Sequence, residues 1–486
     1  MIDTTSRRPR HPRSLLGRAW VVLVCLWAAS LWFGCTPRPT AVETGSGADY
    51  LVLWDVRLID GTGAPAREHQ AVVVSGGRIV DLGPIDEVTI PEGSERIDLA
   101  GNTVIPGLVD LHVHFPSDRG VQEAILQQLL EFGITTILNP GARPDAGVEL
   151  RGRIERGEVV GPRMFSAGRI VERTPAEEGL QGWVAEVDSV EAIHEEVRAQ
   201  VASGVDFVKL YRNLPPELVA AAIETAHEAR VPVVGHQGET WWGEAARLGI
   251  DMLVHSGWGT PMDEVVDLED PATATDRDWY LAYSKASRGA RFSELARTLA
   301  EEDVVVVPTV SITQASGLGR DATLLPSFRT DLAPDRHLDD WWSDGWQERH
   351  PQYGPDSEVE AEMMATVYFP GVLANLHGFF EHGVRLAVGT DVGNSWMTPG
   401  FVYHHELELY QDAGIPALDI LSMATRHGAE ALGILDETGT LEVGKRADLV
   451  VLRDDPSLDV RATRSIERVF LGGREVPRPE GDSTLP

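Results

Sequence analysis

The chain has 486 residues, too many for one compact core of ordinary size, and an apolar fraction of 43% that can bury a large one. Its formal net charge of −33 excludes the basic face of a nucleic-acid binder. Both cysteines, Cys25 and Cys35, lie near the N-terminus, so the rest of the chain has neither a disulfide nor a thiolate metal site.

Arg7, Arg8, Arg10, Arg13 and Arg18 precede an apolar run over residues 19–33, which ends at Gly34-Cys35. A basic stretch, a short apolar stretch and a small residue describe a secretory signal. The run is shorter than the roughly 20 residues that cross a bilayer. Gly34-Cys35 followed by polar Thr36-Pro37-Arg38-Pro39-Thr40 resembles a bacterial lipoprotein signal, which makes Cys35 the lipidated N-terminus. The expectation for residues 1–35 is therefore export and a lipid anchor at the bacterial envelope, facing periplasm or exterior. An uncleaved N-terminal anchor is the alternative. Residues 36–48, rich in Thr, Pro, Gly and Ser, read as a tether.

Short apolar segments at 51–54, 71–74, 79–82 and 97–100 follow, separated by turn sequences such as Asp60-Gly61-Thr62-Gly63 and Ser75-Gly76-Gly77. Similar segments at 439–441, 447–452 and 469–476 close the chain. The pattern predicts a small β-sandwich built from both ends, 49–104 and 436–480.

Between them, residues 105–435 alternate apolar strands with amphipathic stretches such as 189–202, the signature of βα units. Residues 104–105 open this region and lead into a strand at 108–111. Further strands are predicted at 133–138, 163–166, 205–210, 231–235, 252–254, 304–307 and 386–389. Eight strands predict an α/β fold of the (β/α)8 TIM-barrel type. No GxGxxG follows a strand, which argues against a dinucleotide fold. Two stretches break the alternation. Residues 262–292 are charged and turn-rich, and 314–370 contain Trp341, Trp342, Trp346 and Tyr353. In a barrel both follow strands on the catalytic face, as lids, substrate walls or partner-contact insertions.

Only three lysines occur, and Lys209 ends the apolar run Val205-Asp206-Phe207-Val208-Lys209-Leu210. In a chain that otherwise uses arginine, an amine there implies chemistry that a guanidinium cannot do. It can lose its proton when buried and act as a nucleophile. A neutral lysine that captures CO2 becomes a carbamate (N6-carboxylysine) able to bridge two cations. The other candidates also follow predicted strands: His112-Val113-His114, His236, His255 and Asp391. Strand ends of a barrel converge on one mouth. One divalent ion would be held by His112, His114 and Asp391, the other by His236 and His255. The Lys209 carbamate would bridge them, with a shared hydroxide as second bridge. Zinc suits this set best, with manganese, cobalt or iron as alternatives. Asp391 is the expected catalytic proton carrier. Singly, an HxH pair, a strand-end lysine or a lone histidine is more often structural; the conjunction in barrel order carries the reading. His194, His227, His337 and His350 fall in helix-like or loop contexts and read as structural or surface groups.

As a set, several segments resemble the metal-dependent amidohydrolase superfamily, in the imidazolonepropionase-related branch that includes prolidase-like enzymes. They are Ile105-Pro106-Gly107-Leu108-Val109-Asp110-Leu111-His112-Val113-His114, Asp206-Phe207-Val208-Lys209, Val234-Gly235-His236, Val254-His255-Ser256-Gly257, Gly389-Thr390-Asp391 and Gly439-Thr440-Leu441-Glu442-Val443-Gly444-Lys445-Arg446-Ala447-Asp448-Leu449-Val450. The resemblance covers about residues 50–478 and implies metal-assisted hydrolysis at a carbon or phosphorus centre. Gln237-Gly238-Glu239 after His236 departs from the many relatives that carry a second histidine there.

The function expected is hydrolysis of C–N bonds in small amides by two divalent metals, with CO2 or bicarbonate needed for Lys209 and with dipeptides or N-acyl amino acids first among substrates. A lactone, ester or phosphotriester substrate is the alternative on the same site. A non-catalytic substrate-binding lipoprotein is the alternative of a different class. Tyr211 is the candidate substrate contact, Trp258 and the Trp341 to Trp346 cluster are candidate walls, and Arg212 reads as a solvated loop cation. The partners expected are a small molecule and, through the lipid anchor alone, a membrane.

Overall fold

The computed structural model describes residues 50–143, 145–173, 182–257, 264–266, 268, 273–318, 358–394 and 397–477. The signal with Cys35, the tether, Trp258, His337, His350, Trp341, Trp342, Trp346 and Tyr353 lie outside the described residues.

In chain order the strands are β1 (Tyr50–Leu58), β2 (Arg67–Ser75), β3 (Arg78–Pro84), β4 (Glu95–Asp98), β5 (Thr103–Pro106), β6 (Leu108–Asp110), β7 (Ile134–Asn139), β8 (Arg163–Glu172), β9 (Val184–Glu186), β10 (Phe207–Leu210), β11 (Val233–Gly235), β12 (Met252–Val254), β13 (Val305–Val307), β14 (Arg385–Leu386), β15 (Leu449–Leu452), β16 (Ile466–Leu471) and β17 (Arg474–Glu475).

Both chain ends meet in one eight-stranded sheet of order β17-β16-β15-β5-β1-β2-β3, with β4 beside β1. Alternation along β1, reset by register shifts between Trp54 and Leu58, sorts its side chains between two cores. Leu53 and Leu58 join Val72, Ile79, Leu449 and Phe470 in one cluster, whereas Tyr50 and Val52 pack with Val73 in another. β5 pairs parallel to β1 and antiparallel to β15, so residues 104–105 belong to this sheet rather than opening the barrel region. Residues 439–441 form no strand: Gly439 has φ +93, and the backbone turns so that Leu441 N–H reaches Asp60 O.

β6, β7, β8, β10, β11, β12, β13 and β14 form a parallel sheet in that order, with β9 added outside the path on β8. Its strands are short and apolar on both faces, as a parallel sheet covered on both sides requires. The two ends meet: Leu111 N–H donates to Val388 O at 3.0 Å, and Asp391 N–H donates to His112 O at 2.8 Å. Inside the curl lie Val109, Phe207, Val234, Met252, Val305 and Ala387. Lys209 and His236 stand two residues beyond Phe207 and Val234, on the same inward side at the strand ends.

Ser189 caps the helix Val190–Ala202 as its sequence predicts. The 262–292 stretch is partly helical: Thr275 and Asp278 form a capping box that starts the helix Asp276–Tyr283. That signal stands in the sequence but is hidden among charged neighbours.

The helix Phe401–Asp412 is tied to the segment that leads into β16, because Glu408 accepts from Arg464 Nε at 2.6 Å; Glu408 also lies 3.6 Å from His405 Nδ1 on its own helix. Burial is the largest influence on this carboxyl and raises it. The hydrogen bonds and charges of His405 and Arg464 outweigh burial together and hold it at about 2. A depressed carboxylate contributes stability above its unfolded pKa, about 4.3 for Glu, and loses it as pH falls toward the folded value. Glu408→Gln is therefore expected to destabilise the protein at pH 7, with the gap to wild type closing between about pH 5 and 2. Urea denaturation across that range measures it; a gap that does not change with pH would show that the charge contributes nothing.

Candidate metal centre at the strand ends

Asp110, the last residue of β6, is a fully buried carboxylate in an apolar run. Its Oδ1 accepts from His112 N–H at 3.0 Å and from Thr390 N–H at 3.1 Å, and its Oδ2 accepts from Thr390 Oγ1 at 2.7 Å. One side chain thus fixes the backbone just before His112 and just before Asp391. Burial raises its pKa to about 7 against the pull of those hydrogen bonds. Close approach of the two segments also explains Gly389, where a Cβ would stand 2.5 Å from Val307 Cγ1 and 3.0 Å from His112 Cβ.

Three ligand-type atoms converge there. His112 Nε2 lies 3.1 Å from His114 Nε2 and 3.3 Å from Asp391 Oδ1, and His114 Nε2 lies 3.4 Å from the same oxygen. Four ligands at 2.0–2.1 Å around a tetrahedral cation stand roughly 3.3–3.4 Å apart, close to this spacing. Protonation fits as well. His114 Nδ1 faces Gly141 O at 3.1 Å, which can only accept, so Nδ1 carries the proton and Nε2 offers a lone pair. Burial, first of all, lowers His112 well below the usual imidazole range and His114 to about 4, so both stay neutral. The residues present therefore fit a divalent cation.

The second half of the predicted set packs on the first. The His255 ring is 4.7 Å from His112 and 4.4 Å from His236, centroid to centroid. His255 Nδ1 stands 2.8 Å from Thr309 Oγ1, whose own proton goes to Pro308 O at 2.8 Å. The hydroxyl therefore accepts from Nδ1–H, which leaves the His255 Nε2 lone pair free to bind a cation. Lys209 is 2% exposed, its Nζ has no hydrogen-bond partner among the described residues, and burial lowers it to about 7. Its charge acts on His112, His114, His255 and Asp391, which places it among them. Burial likewise raises Asp391 to about 8.

Of the predicted ligand residues, His112, His114 and Asp391 bring their ligand atoms together, and the rings of His255 and His236 pack beside them. Tyr211 stands edge-on to His236 with centroids 4.8 Å apart. His194 bonds Thr225 and His227 pairs with Asp251, away from the cluster. Sequence reading gave no role to Asp110, Thr309, Glu172, Glu406 or Trp183. Glu172 is buried at the end of β8 and accepts from Asn213 N–H at 2.9 Å, which ties two site loops together. Trp183 stands 6.2 Å from the His114 ring. The available signal was a carboxylate inside an apolar run, as at Asp110.

The family model described as "Amidohydrolase family" matches residues 103–262 and 367–476. An imidazolonepropionase of Erwinia tasmaniensis is 24% identical over 79% of this chain and 86% of its own. An ochratoxinase of Aspergillus niger is 22% identical over 96% of this chain and 94% of its own. Among solved structures, a candidate prolidase from Bifidobacterium longum superposes with a TM-score of 0.67 at 25% identity, covering 89% of this chain and 95% of that one.

Asp110→Ala would leave the buried N–H groups of His112 and Thr390 without this acceptor, at about 1–3 kcal/mol each. Denaturant unfolding of the metal-free protein is expected to show a loss of at least about 2 kcal/mol, with a smaller loss for Asp110→Asn, which keeps one acceptor oxygen. A loss under about 1 kcal/mol would show that the carboxylate does not hold the two strand ends.

Proposed function

The chain belongs to the amidohydrolase family, in its imidazolonepropionase- and prolidase-like branch, and from that premise we propose a two-metal hydrolase that cleaves C–N bonds of small amides, dipeptides or N-acyl amino acids first. The family supports a metal-dependent hydrolase acting on C–N bonds. The observation that carries the finer reading is the His112, His114 and Asp391 triangle together with a buried lysine amine that has no hydrogen-bond partner among the described residues.

In this reading His112, His114 and Asp391 would hold one divalent cation, zinc first, and His236 and His255 would hold the other, with Lys209, as a carbamate, the candidate shared ligand. Burial lowers the Lys209 amine to about 7, which makes its neutral, nucleophilic form accessible near neutral pH. The nitrogen attacks the carbon of CO2, an N–C bond forms, one C–O π bond becomes a carboxylate, and the N–H proton leaves to solvent. Bound divalent cations supply acidified water, with a pKa near about 7, and polarisation of the scissile carbonyl.

The chain's own groups do the rest. Asp391 Oδ1 lies in the triangle, so its carboxylate is placed to take the proton of the attacking water and give it to the departing nitrogen. Neutral His114 and His255, each with its Nδ1 proton committed, present fixed lone pairs. Tyr211, beside His236, is the proposed contact to a substrate carbonyl or carboxylate. Dipeptides come first because the superposed prolidase-like structure spans nearly the whole chain. We also infer export and a lipid anchor at Cys35, supported by the arginine-rich start and short apolar run, and a sandwich closure of the composite sheet, supported by the core that both chain ends share.

The purified protein supplied with zinc and bicarbonate is expected to hydrolyse members of a pooled dipeptide and N-acyl amino acid library, and a chelator is expected to abolish this. Lys209→Ala should lower metal content and reduce kcat/KM by at least about 100-fold, since loss of outer-shell partners alone costs about 10–100-fold. A protein without divalent metal, or a Lys209→Ala variant with full activity and metal content, would overturn the reading. Silence on amides from a protein that holds two metals would move the substrate to lactones, esters or phosphotriesters.

A further inference from the structure

We propose that Glu406 is a positioning residue for His255, acting through the backbone of Val310 and Ser311 and the hydroxyl of Thr309. The proposal rests on the reading of His255 as a metal ligand and adds what holds it.

Glu406 lies fully buried in the helix Phe401–Asp412, more than 90 residues from the segment it grips. Its Oε1 accepts from Val310 N–H and its Oε2 from Ser311 N–H, both at 2.7 Å. These are the first two donors of the helix Val310–Leu318, which have no intrahelical acceptor. The residue just before them is Thr309, at φ +47, a left-handed conformation costly for a β-branched residue. That conformation brings the Thr309 hydroxyl to His255 Nδ1.

The chain of contacts is therefore short and directional. The carboxylate fixes two adjacent N–H groups, the N–H groups fix the strained corner, and the corner fixes the proton on His255 Nδ1. Each link needs the chemistry it has. A carboxamide at 406 offers one acceptor oxygen, and its NH2 would face the second N–H. A valine at 309 keeps the branched shape but cannot accept from Nδ1–H.

The neighbours of Glu406 on the same helix face point the same way. Tyr403 and Tyr410, three and four residues to either side, are fully buried. Tyr403 Oη lies 2.9 Å from Val109 O on β6, and Tyr410 Oη lies 3.0 Å from Ala387 O just after β14. One helix face thus holds the strands that lead to His112 and Asp391 and the corner that holds His255. Of the three side chains, Glu406 is the one whose contacts end on a ligand ring.

The test is a double-mutant cycle on the full chain: Glu406→Gln, Thr309→Val, the double variant, and Thr309→Ser as the conservative control. Each is stripped of metal and titrated with zinc against a competing chelator. Each disruptive single variant is expected to lose about 10–100-fold in affinity at one of two sites, the double to lose no more than the worse single, and Thr309→Ser to match wild type. Wild-type affinity at both sites in Glu406→Gln, or a double loss equal to the product of the singles, overturns the proposal, because a merely structural Glu406 would act independently of the Thr309 hydroxyl. Histidine 15N NMR of the metal-free protein needs no zinc: the His255 Nδ1 resonance should move in Glu406→Gln as it does in Thr309→Val, and an unmoved resonance overturns the proposal. If wild type binds no zinc, the two-metal reading fails, and the NMR result still decides the role of Glu406. Should Glu406→Gln not fold, Glu406→Asp keeps the charge and withdraws it from the two N–H groups, with the same results expected.

Discussion

The hydrogen bonds of Asp110 bind the two ends of a long chain into one site. Thr390 stands 280 residues away, yet its N–H and hydroxyl meet the same carboxylate as the N–H of His112. The strands themselves end early here: β14 has two residues, and past it the curl is held by single backbone contacts such as Leu111 to Val388. A carboxylate with three donors supplies what a longer ladder would otherwise provide. Its place inside an apolar run is the cost of that arrangement, since a buried charge is tolerated only when its hydrogen bonds are complete. His112 and Asp391 owe their proximity to it.

Backbone strain gathers at the same place. His255, Thr309 and Asp391 all have positive φ without being glycine. Such residues cost of order 1–3 kcal/mol each and persist only where surroundings over-determine them. Hydrogen bonds to a charged partner contribute about 1.5–3 kcal/mol each, enough to hold one such residue per pair of bonds. Asp110 stands beside Asp391 through Thr390, and Glu406 stands beside Thr309. The pattern is one of anions in the core, each placed next to a strained corner that aims a polar side chain into the mouth. Such corners turn side chains out of the period-2 register of the strand, which is how His255 and Asp391 can face the same space as Lys209.

The residues that face the mouth were legible because strand ends in a parallel α/β fold announce themselves: a short apolar run, then a polar residue of unusual type. Lys209 and the His112-Val113-His114 pair are read that way. The strand count was also legible, since each barrel strand is a compact apolar block between turn signals. What lay beyond reach depended on partners distant in sequence. Glu406 sits in His404-His405-Glu406-Leu407 and looks like any charged helical residue; only its two N–H partners near Val310 show that it is buried. Thr309 follows Pro308 and reads as a turn. Residues 104–105 look like a barrel strand by composition, and pairing with β15, more than 300 residues later, decides otherwise. Gly439-Thr440-Leu441 has strand-like residues, but a glycine at φ +93 turns it. Local pattern gave the blocks, and long-range hydrogen bonding assigned them.

Lysine usage closes the physical account. Lys445 is buried too, but its ammonium reaches Thr440 and Glu442, so its charge is compensated. Lys209 is more deeply buried, and among the described residues its Nζ has no such partner. An amine in that state favours the neutral form, so in the metal-free fold it opposes folding wherever an unfolded lysine keeps its proton, in full below about pH 7 and fading as pH rises to about 10.4. Burial also keeps His112, His114 and His255 from taking up protons, which adds a cost at pH values below the usual imidazole range. Whatever cation these groups bind in the folded state, and not in the unfolded one, stabilises the protein in proportion to its affinity. The features that make the mouth unfavourable on its own, a buried amine and desolvated imidazoles, are therefore the ones that would favour a cation there. In the proposed reading, function and the local loss of stability have one origin, the desolvation of polar groups gathered where Asp110 joins the strand ends.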